Sequence, residues 1–300
     1  MKSPYVICGS TGNVGSKLVR TLLADGKLVR AIGRERTRLG PFAATGAEAW
    51  PGDLGDEEFL SRAFSGAKAV FAMIPPKYDA PDMAGYQNGV GEAIVSALAK
   101  ARVPRVVTLS SVGAHLSEGT GPIRGLHDFE KKLERLGDAG VVHLRAAYFM
   151  ENLLWNIPVI REHGMNGSPI RPDVPIPMVA TKDIADEAAR RLLAETSVGH
   201  SVRYLLGPRD LTLSEATRIL GEAIGKPDLR YIQLPEVEAR KAMSWMGMSD
   251  SVIEAMLEMQ RGFNAGGIRP TRERDASNTT PTTLEEFAQT VFTRSYRAAA

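Results

Sequence analysis

Short apolar, β-branched runs alternate with helix-like stretches through the first half of the chain. The runs are YVIC (5–8), LVRAI (28–32), AVFAMI (69–74), RVVTL (105–109) and VVHL (141–144). Several are apolar at consecutive positions, the pattern of strands covered on both faces. Helices are expected near 13–24, 56–65, 80–101 and 124–136. Within 80–101, Val90, Ile94, Ala97, Leu98 and Ala101 recur at the spacing of one apolar helical face. This alternation predicts parallel strands joined by right-handed crossovers, a doubly wound, mostly parallel α/β sheet.

After Arg145 the rhythm breaks. Residues 164–178 hold Pro169, Pro172, Pro175 and Pro177 with two glycines, which predicts loop with at most short strands. Thr212 and Glu215 form a capping box ahead of Ala216, Ile219, Leu220 and Ala223 on one helical face. A last helix, capped by Thr282 with Glu285 or by Thr283 with Glu286, would bury Leu284, Phe287, Val291 and Phe292. Residues 262–280, rich in Gly, Asn, Thr and Arg, read as a mobile loop. No internal repeat is visible.

The most informative local sequence is VICGSTGNVG (6–15), a glycine turn between an apolar strand and a helix with Val14, Leu18 and Leu22 inward. Gly9 permits the tight turn, Gly12 lets backbone approach a pyrophosphate, and Gly15 lets helix pack on strand. The free N–H groups and positive end of the helix then face phosphate. Residues 9–15 (Gly9, Ser10, Thr11, Gly12, Asn13, Val14 and Gly15) are therefore the expected dinucleotide loop of a Rossmann-type domain. An NAD site wants Asp or Glu about 20 residues past the glycines. Arg34 stands there, in AIGRERTR, and a guanidinium pairs with a 2′-phosphate, so NADP(H) is the expected cofactor. The chain then divides into a dinucleotide-binding domain, 1–146, and a smaller, mainly helical substrate-binding region, 147–300, whose segments could return strands to the main sheet.

Composition narrows the partners. The 300 residues are 43% hydrophobic and 24% charged, a globular balance that excludes a disordered chain. A net charge of +2 gives no electrostatic reason for a nucleic-acid or membrane-surface partner. No apolar run approaches the ~20 residues of a membrane span, and the N-terminal one is too short for a signal-peptide core. The single cysteine, Cys8, precludes an internal disulfide and fits a reducing compartment; a cytoplasmic location is expected. The histidines have no metal-ligand spacing and there is no cysteine cluster, so no metal is expected.

GSTGNVG, AIGR, GDLGD (52–56), VVTLSSVGA (106–114), LRAAYFMEN (144–152) and the terminal TTLEEFA together resemble an atypical short-chain dehydrogenase of the NmrA-like family. That family includes NADPH:quinone oxidoreductases, triphenylmethane reductases, isoflavone-reductase-type enzymes and non-catalytic redox-sensing regulators. The resemblance implies that Arg34 holds the 2′-phosphate, that Asp53 and Leu54 contact adenine, and that Ala72, Met73 and Ile74 line the ribose side. The wider superfamily uses a Tyr-x-x-x-Lys pair and a serine after the fifth strand. Here GLHDFEKKLERL (125–136) puts His127 at the tyrosine position with Lys131 one turn on, and Ser110 and Ser111 supply the hydroxyl. His127 could donate a proton, bind ligand, or make only local hydrogen bonds.

Acceptors that need little acid help suit a missing tyrosine. A quinone or conjugated dye delocalises the charge that hydride brings, whereas a simple ketone collects it on one oxygen. Tyr148, Phe149, Met150, Leu153, Leu154 and Trp155 follow the VVHL run and could stack such an acceptor. Met243, Trp245, Met246, Met248, Met256 and Met259 fit either core or an adaptable pocket wall. The leading expectation is an NADP(H)-dependent oxidoreductase passing hydride to a quinone-like acceptor. The competing one is a non-catalytic NADP(H)-sensing regulator acting through a protein partner. Oligomeric state is not legible.

Overall fold

The computed structural model describes residues 3–137, 139–194 and 199–298. Its main sheet is built from β1 (Tyr5–Ile7), β2 (Val29–Gly33), β3 (Glu48–Pro51), β4 (Ala69–Ala72), β5 (Arg105–Ser111), β6 (Gly140–Ala146) and a late strand, β10 (His200–Leu205). The order is β10-β6-β5-β4-β1-β2-β3, and every pair is parallel. Chain direction across the sheet reverses between β1 and β4, where a doubly wound sheet opens its ligand crevice.

Side-chain alternation along the strands feeds two cores. Tyr5, Ile7, Ala31, Phe71, Val107 and Leu144 join one layer with helices α1 (Gly15–Ala24), α2 (Arg36–Ala44) and α7 (Thr181–Leu193). Val6, Cys8, Ile32, Val70, Val106 and Val141 join the other with α3 (Glu57–Phe64), α4 (Met83–Lys100) and α5 (Ile123–Leu133). Burial on both faces is why these strands read as continuous apolar runs.

The early elements fall where periodicity put them, with ends shifted by a few residues. Two were not visible in the pattern. β3 is an edge strand, EAWP, with no fully buried residue, so it has no apolar run to read. α2 contains Gly40 and Pro41 and inserts only Leu39 and Phe42 into the core. Met73 and Ile74 lie just past β4 rather than within it.

Beyond β6 the chain forms β7 (Tyr148–Phe149), a 3-10 turn Met150–Asn156, α6 (Ile157–His163), β8 (Met165–Ser168) and β9 (Ile176–Val179). α7 then leads to β10, which returns to the main sheet beside β6. The short strands β11 (Asp210–Leu211) and β12 (Arg230–Gln233) pair with β9 and β8. The Thr212–Glu215 capping box starts α8 (Leu213–Ala223) as expected. α9 (Glu236–Trp245) and α10 (Asp250–Asn264) form a pair with a small core of their own. The last helical stretch begins at Leu284 and is capped by Thr283 with Glu286; Thr282 instead bonds the buried Asp183. The segment read as loop from 262 is helical through Asn264. Its remainder is tied down, with Arg274 on the carbonyls of Leu206 and Gly207 and the Asn278 carbonyl on the Leu206 N–H.

Candidate functional site

The glycine loop sits at the carboxyl end of β1. Gly9 has φ +65°, a conformation L side chains rarely adopt. A Cβ on Gly15 would lie 2.2 Å from the Gly9 carbonyl oxygen, and one on Gly12 would lie 3.3 Å from it. The turn therefore demands glycine at 9 and 15 and is tight at 12. The residue before α1 provides no side-chain cap, and although the Ser16 N–H donates to the Gly12 carbonyl at 3.0 Å, the positive end of the helix still faces the loop. Ser10 is fully buried and its hydroxyl donates to the Ile7 carbonyl at 2.7 Å, so it stabilises the turn from inside. Arg38 donates to the Thr11 carbonyl from α2, and Lys17 donates to the Asn13 carbonyl from α1.

Arg34, at the end of β2, is exposed and makes no hydrogen bond or ion pair with a described residue. Asp53 accepts the Gly55 N–H at 2.7 Å, which holds the carboxylate at the rim of the crevice. Leu54 is 6% exposed, and its side chain belongs to the core. Tyr86 joins this end. Its hydroxyl donates to the Pro75 carbonyl at 3.1 Å, Lys77 lies 5.6 Å from its ring centre, and burial followed by Asp53 raises its pKa while Arg34 opposes. Nothing in the spacing of Lys77 and Tyr86 pointed here; α4 brings in Tyr86, and the segment after β4 brings in Lys77. Met73 closes over the loop, its sulfur 2.9 Å from where a Gly9 Cβ would stand.

These residues fit a phosphorylated dinucleotide. The glycine cradle accepts the pyrophosphate, and an uncommitted guanidinium stands where a 2′-phosphate needs a counter-charge.

At the other end of the crevice, past β5, a cavity of about 210 Å³ is lined by Ser111, Ile123, Tyr148, Phe149, Met259 and Phe263, among others. It draws on β5, α5, β7, β9 and α10, elements spread along the sequence. The YFMEN segment anchors it. Glu151 is buried and accepts the Thr181 N–H at 3.0 Å and the Thr181 hydroxyl, which caps α7; Lys17 also donates to that hydroxyl. This small network ties glycine loop, β7 and α7 together.

Strand alternation separates the two serines. Ser111 faces the cavity, whereas Ser110 is buried on the opposite face and donates to Glu130 at 2.5 Å. Glu130 in turn pairs with Arg145 at 2.6 Å. His127 and Lys131 do not line the apolar cavity. They border a separate polar cavity of about 700 Å³ over β6 and β10, with His115, His143, His200 and Arg145. His127 Nδ1 lies 2.9 Å from the Ala114 carbonyl oxygen, and Lys131 pairs with Glu134 at 3.0 Å. Trp155 is 55% exposed and packs edge-on against Tyr78 rather than in the apolar cavity. Of the methionines, Met259 reaches that cavity and Met243 is core of the α9–α10 pair. Among the described residues no group of three or more His, Cys, Asp or Glu is placed to hold a metal ion. No helix among them is long and apolar enough to cross a membrane.

A glycine-cradled crevice at the reversal point of a parallel sheet defines a dinucleotide-binding α/β protein. The chain belongs to the NmrA-like family, whose sequence pattern it matches over residues 1–288. It is 29% identical over 257 residues to the NAD(P)H azoreductase of Xenophilus azovorans, covering 85% of each chain. Its fold is that of the NADPH-dependent quinone oxidoreductase of Escherichia coli, solved with NADPH (TM-score 0.80, 23% identity, 96% and 99% of the chains). It is also that of the triphenylmethane reductase of Citrobacter sp., solved with NADP(H) (TM-score 0.79, 19% identity, 95% and 99% of the chains).

Proposed function

We propose that this protein is an NADP(H)-dependent reductase that passes hydride to a flat, conjugated small molecule such as a quinone or azo compound. The observation that carries the reading is one crevice with a glycine cradle and free Arg34 at one end and an aromatic-walled cavity at the other. The activities named for the Xenophilus, Escherichia and Citrobacter proteins support the same acceptor class. NADPH, when bound, supplies the hydride. The chain's own part is to bind and exclude. Arg34 selects the 2′-phosphate and residues 9–15 hold the pyrophosphate, with Asp53 at the adenine end. Phe149, Phe263, Met259 and Ile123 present an apolar surface that stacks a planar ring and keeps water away. His127 and Lys131 stand outside this path.

A redox sensor would need the cofactor crevice but not the aromatic cavity, so the cavity favours an enzyme. A single buried Cys8 fits a cytoplasmic setting. The test is loss of NADPH absorbance with a panel of quinones, azo dyes, triphenylmethane dyes and ketones. Turnover of conjugated acceptors over ketones is expected. NADPH bound tightly yet unconsumed across the panel would overturn the reductase reading in favour of the sensor.

A further inference from the structure

The cavity beside β5 is apolar on most of its wall, yet it contains one hydroxyl that nothing uses. Tyr148 lines it, and the Tyr148 hydroxyl forms no hydrogen bond with any described residue. The other polar groups nearby are committed or peripheral. Ser111 donates to the Val112 carbonyl at 2.8 Å. Asn152 is exposed at the mouth. Tyr231, the titratable group coupled to Tyr148, is occupied by Ser168 and by the Ile170 carbonyl, each at 2.7 Å. A phenol without a hydrogen-bond partner, on a residue that lines an apolar cavity, is a donor left open for a ligand's acceptor.

We propose that the Tyr148 hydroxyl seats the acceptor by donating a hydrogen bond, so that the cavity selects planar acceptors with a carbonyl oxygen or azo nitrogen conjugated to the ring. The inference rests on the reductase reading and adds to it a residue and a chemical requirement. β7 follows β6 directly, so Tyr148 stands at the end of the crevice where the nicotinamide half of a dinucleotide lies. Burial pushes the phenol well above its ordinary range, which keeps it a neutral donor at every working pH. In the reaction the acceptor gains hydride from NADPH, which leaves as NADP⁺, and a proton from water on its heteroatom. The Tyr148 O–H bond stays intact; it stabilises the negative charge that builds on that heteroatom. A triphenylmethane cation loses charge on taking hydride and has no heteroatom at the reacting carbon, so it draws nothing from the donor.

The test is Tyr148→Phe, which keeps the ring and its packing. Binding of a naphthoquinone to the cofactor-free protein is read by tryptophan fluorescence, and NADPH-dependent turnover is read with a quinone, an azo dye and a triphenylmethane cation. Quinone binding is expected to weaken about 5–10-fold, the worth of one hydrogen bond, and quinone and azo turnover to fall with it. Triphenylmethane turnover and NADPH affinity should stay within about twofold. Unchanged quinone binding, or an equal loss for all three acceptors, overturns the proposal. If the unaltered protein consumes no NADPH with any acceptor, the reductase reading fails, and the binding measurement alone still decides the role of Tyr148.

Discussion

At the scale of single residues, function turns on which polar groups are already committed. Arg34 is uncommitted. Arg34→Ala should weaken NADPH binding by about 1.5–3 kcal/mol, the value of a charge-assisted contact, and leave NADH binding nearly unchanged; titration by cofactor fluorescence checks it. His127 lies 2.9 Å from the Ala114 carbonyl oxygen and does not line the apolar cavity. His127→Phe should therefore cost quinone reduction far less than the ~10²-fold of a lost general acid, as steady-state rates would show. His143 tests burial. Its Nδ1 lies 2.9 Å from the Thr108 hydroxyl, and burial lowers its pKa against the opposing pull of Glu130. Since the unfolded chain takes up this proton first, the contribution of His143 to stability is complete above about pH 6.5 and is lost as pH falls through its depressed folded value. The melting temperature should drop on acidification below that point, and His143→Gln should reduce the drop. His115, shifted downward chiefly by burial as well, should leave part of it in place.

At the scale of elements, the turn between β1 and α1 is the part with least tolerance. Gly12 and Gly15 are fixed by the Gly9 backbone rather than by movable side chains, and Gly9 by its φ of +65°. Gly15→Ala would place a methyl carbon 2.2 Å from the Gly9 carbonyl oxygen and 2.8 Å from its carbon. The loop must open, and the cradle for the pyrophosphate is lost with it. Cofactor binding should fall below detection by fluorescence titration while the far-ultraviolet circular dichroism stays close to that of the unaltered protein.

At the scale of the whole molecule, the seven-stranded sheet is sealed by two large cores, which the end of α10 joins through Phe263, but α9 and the first part of α10 rest on a small cluster of Ala239, Met243, Ile253 and Leu257. Trp245 is 89% exposed beside it. Regions with little buried apolar surface open first. Ile253→Ala should accelerate protease cleavage within 236–264 severalfold while the main unfolding transition moves little. A large fall in that transition would mean that the pair is integral to the sheet domain.

The order of strands and helices through β6, the glycine turn and the Thr212 cap were legible because each depends on neighbours within a few residues. Apolar runs, helical spacing and turn chemistry are local properties. β3 and α2 were not legible, since an edge strand and a helix with two inward side chains need little apolar sequence. Arg34 could be singled out by its distance from the glycines, but that it is left without a partner is a tertiary fact. Ser110 and Ser111 look alike in sequence; only the packing of α5 and β7 decides that one meets Glu130 and the other the cavity. The apolar cavity joins residues from 111 to 263, and β10 from the chain's second half returns beside β6 of its first. Such contacts arise from close packing between distant segments, and no local period records them.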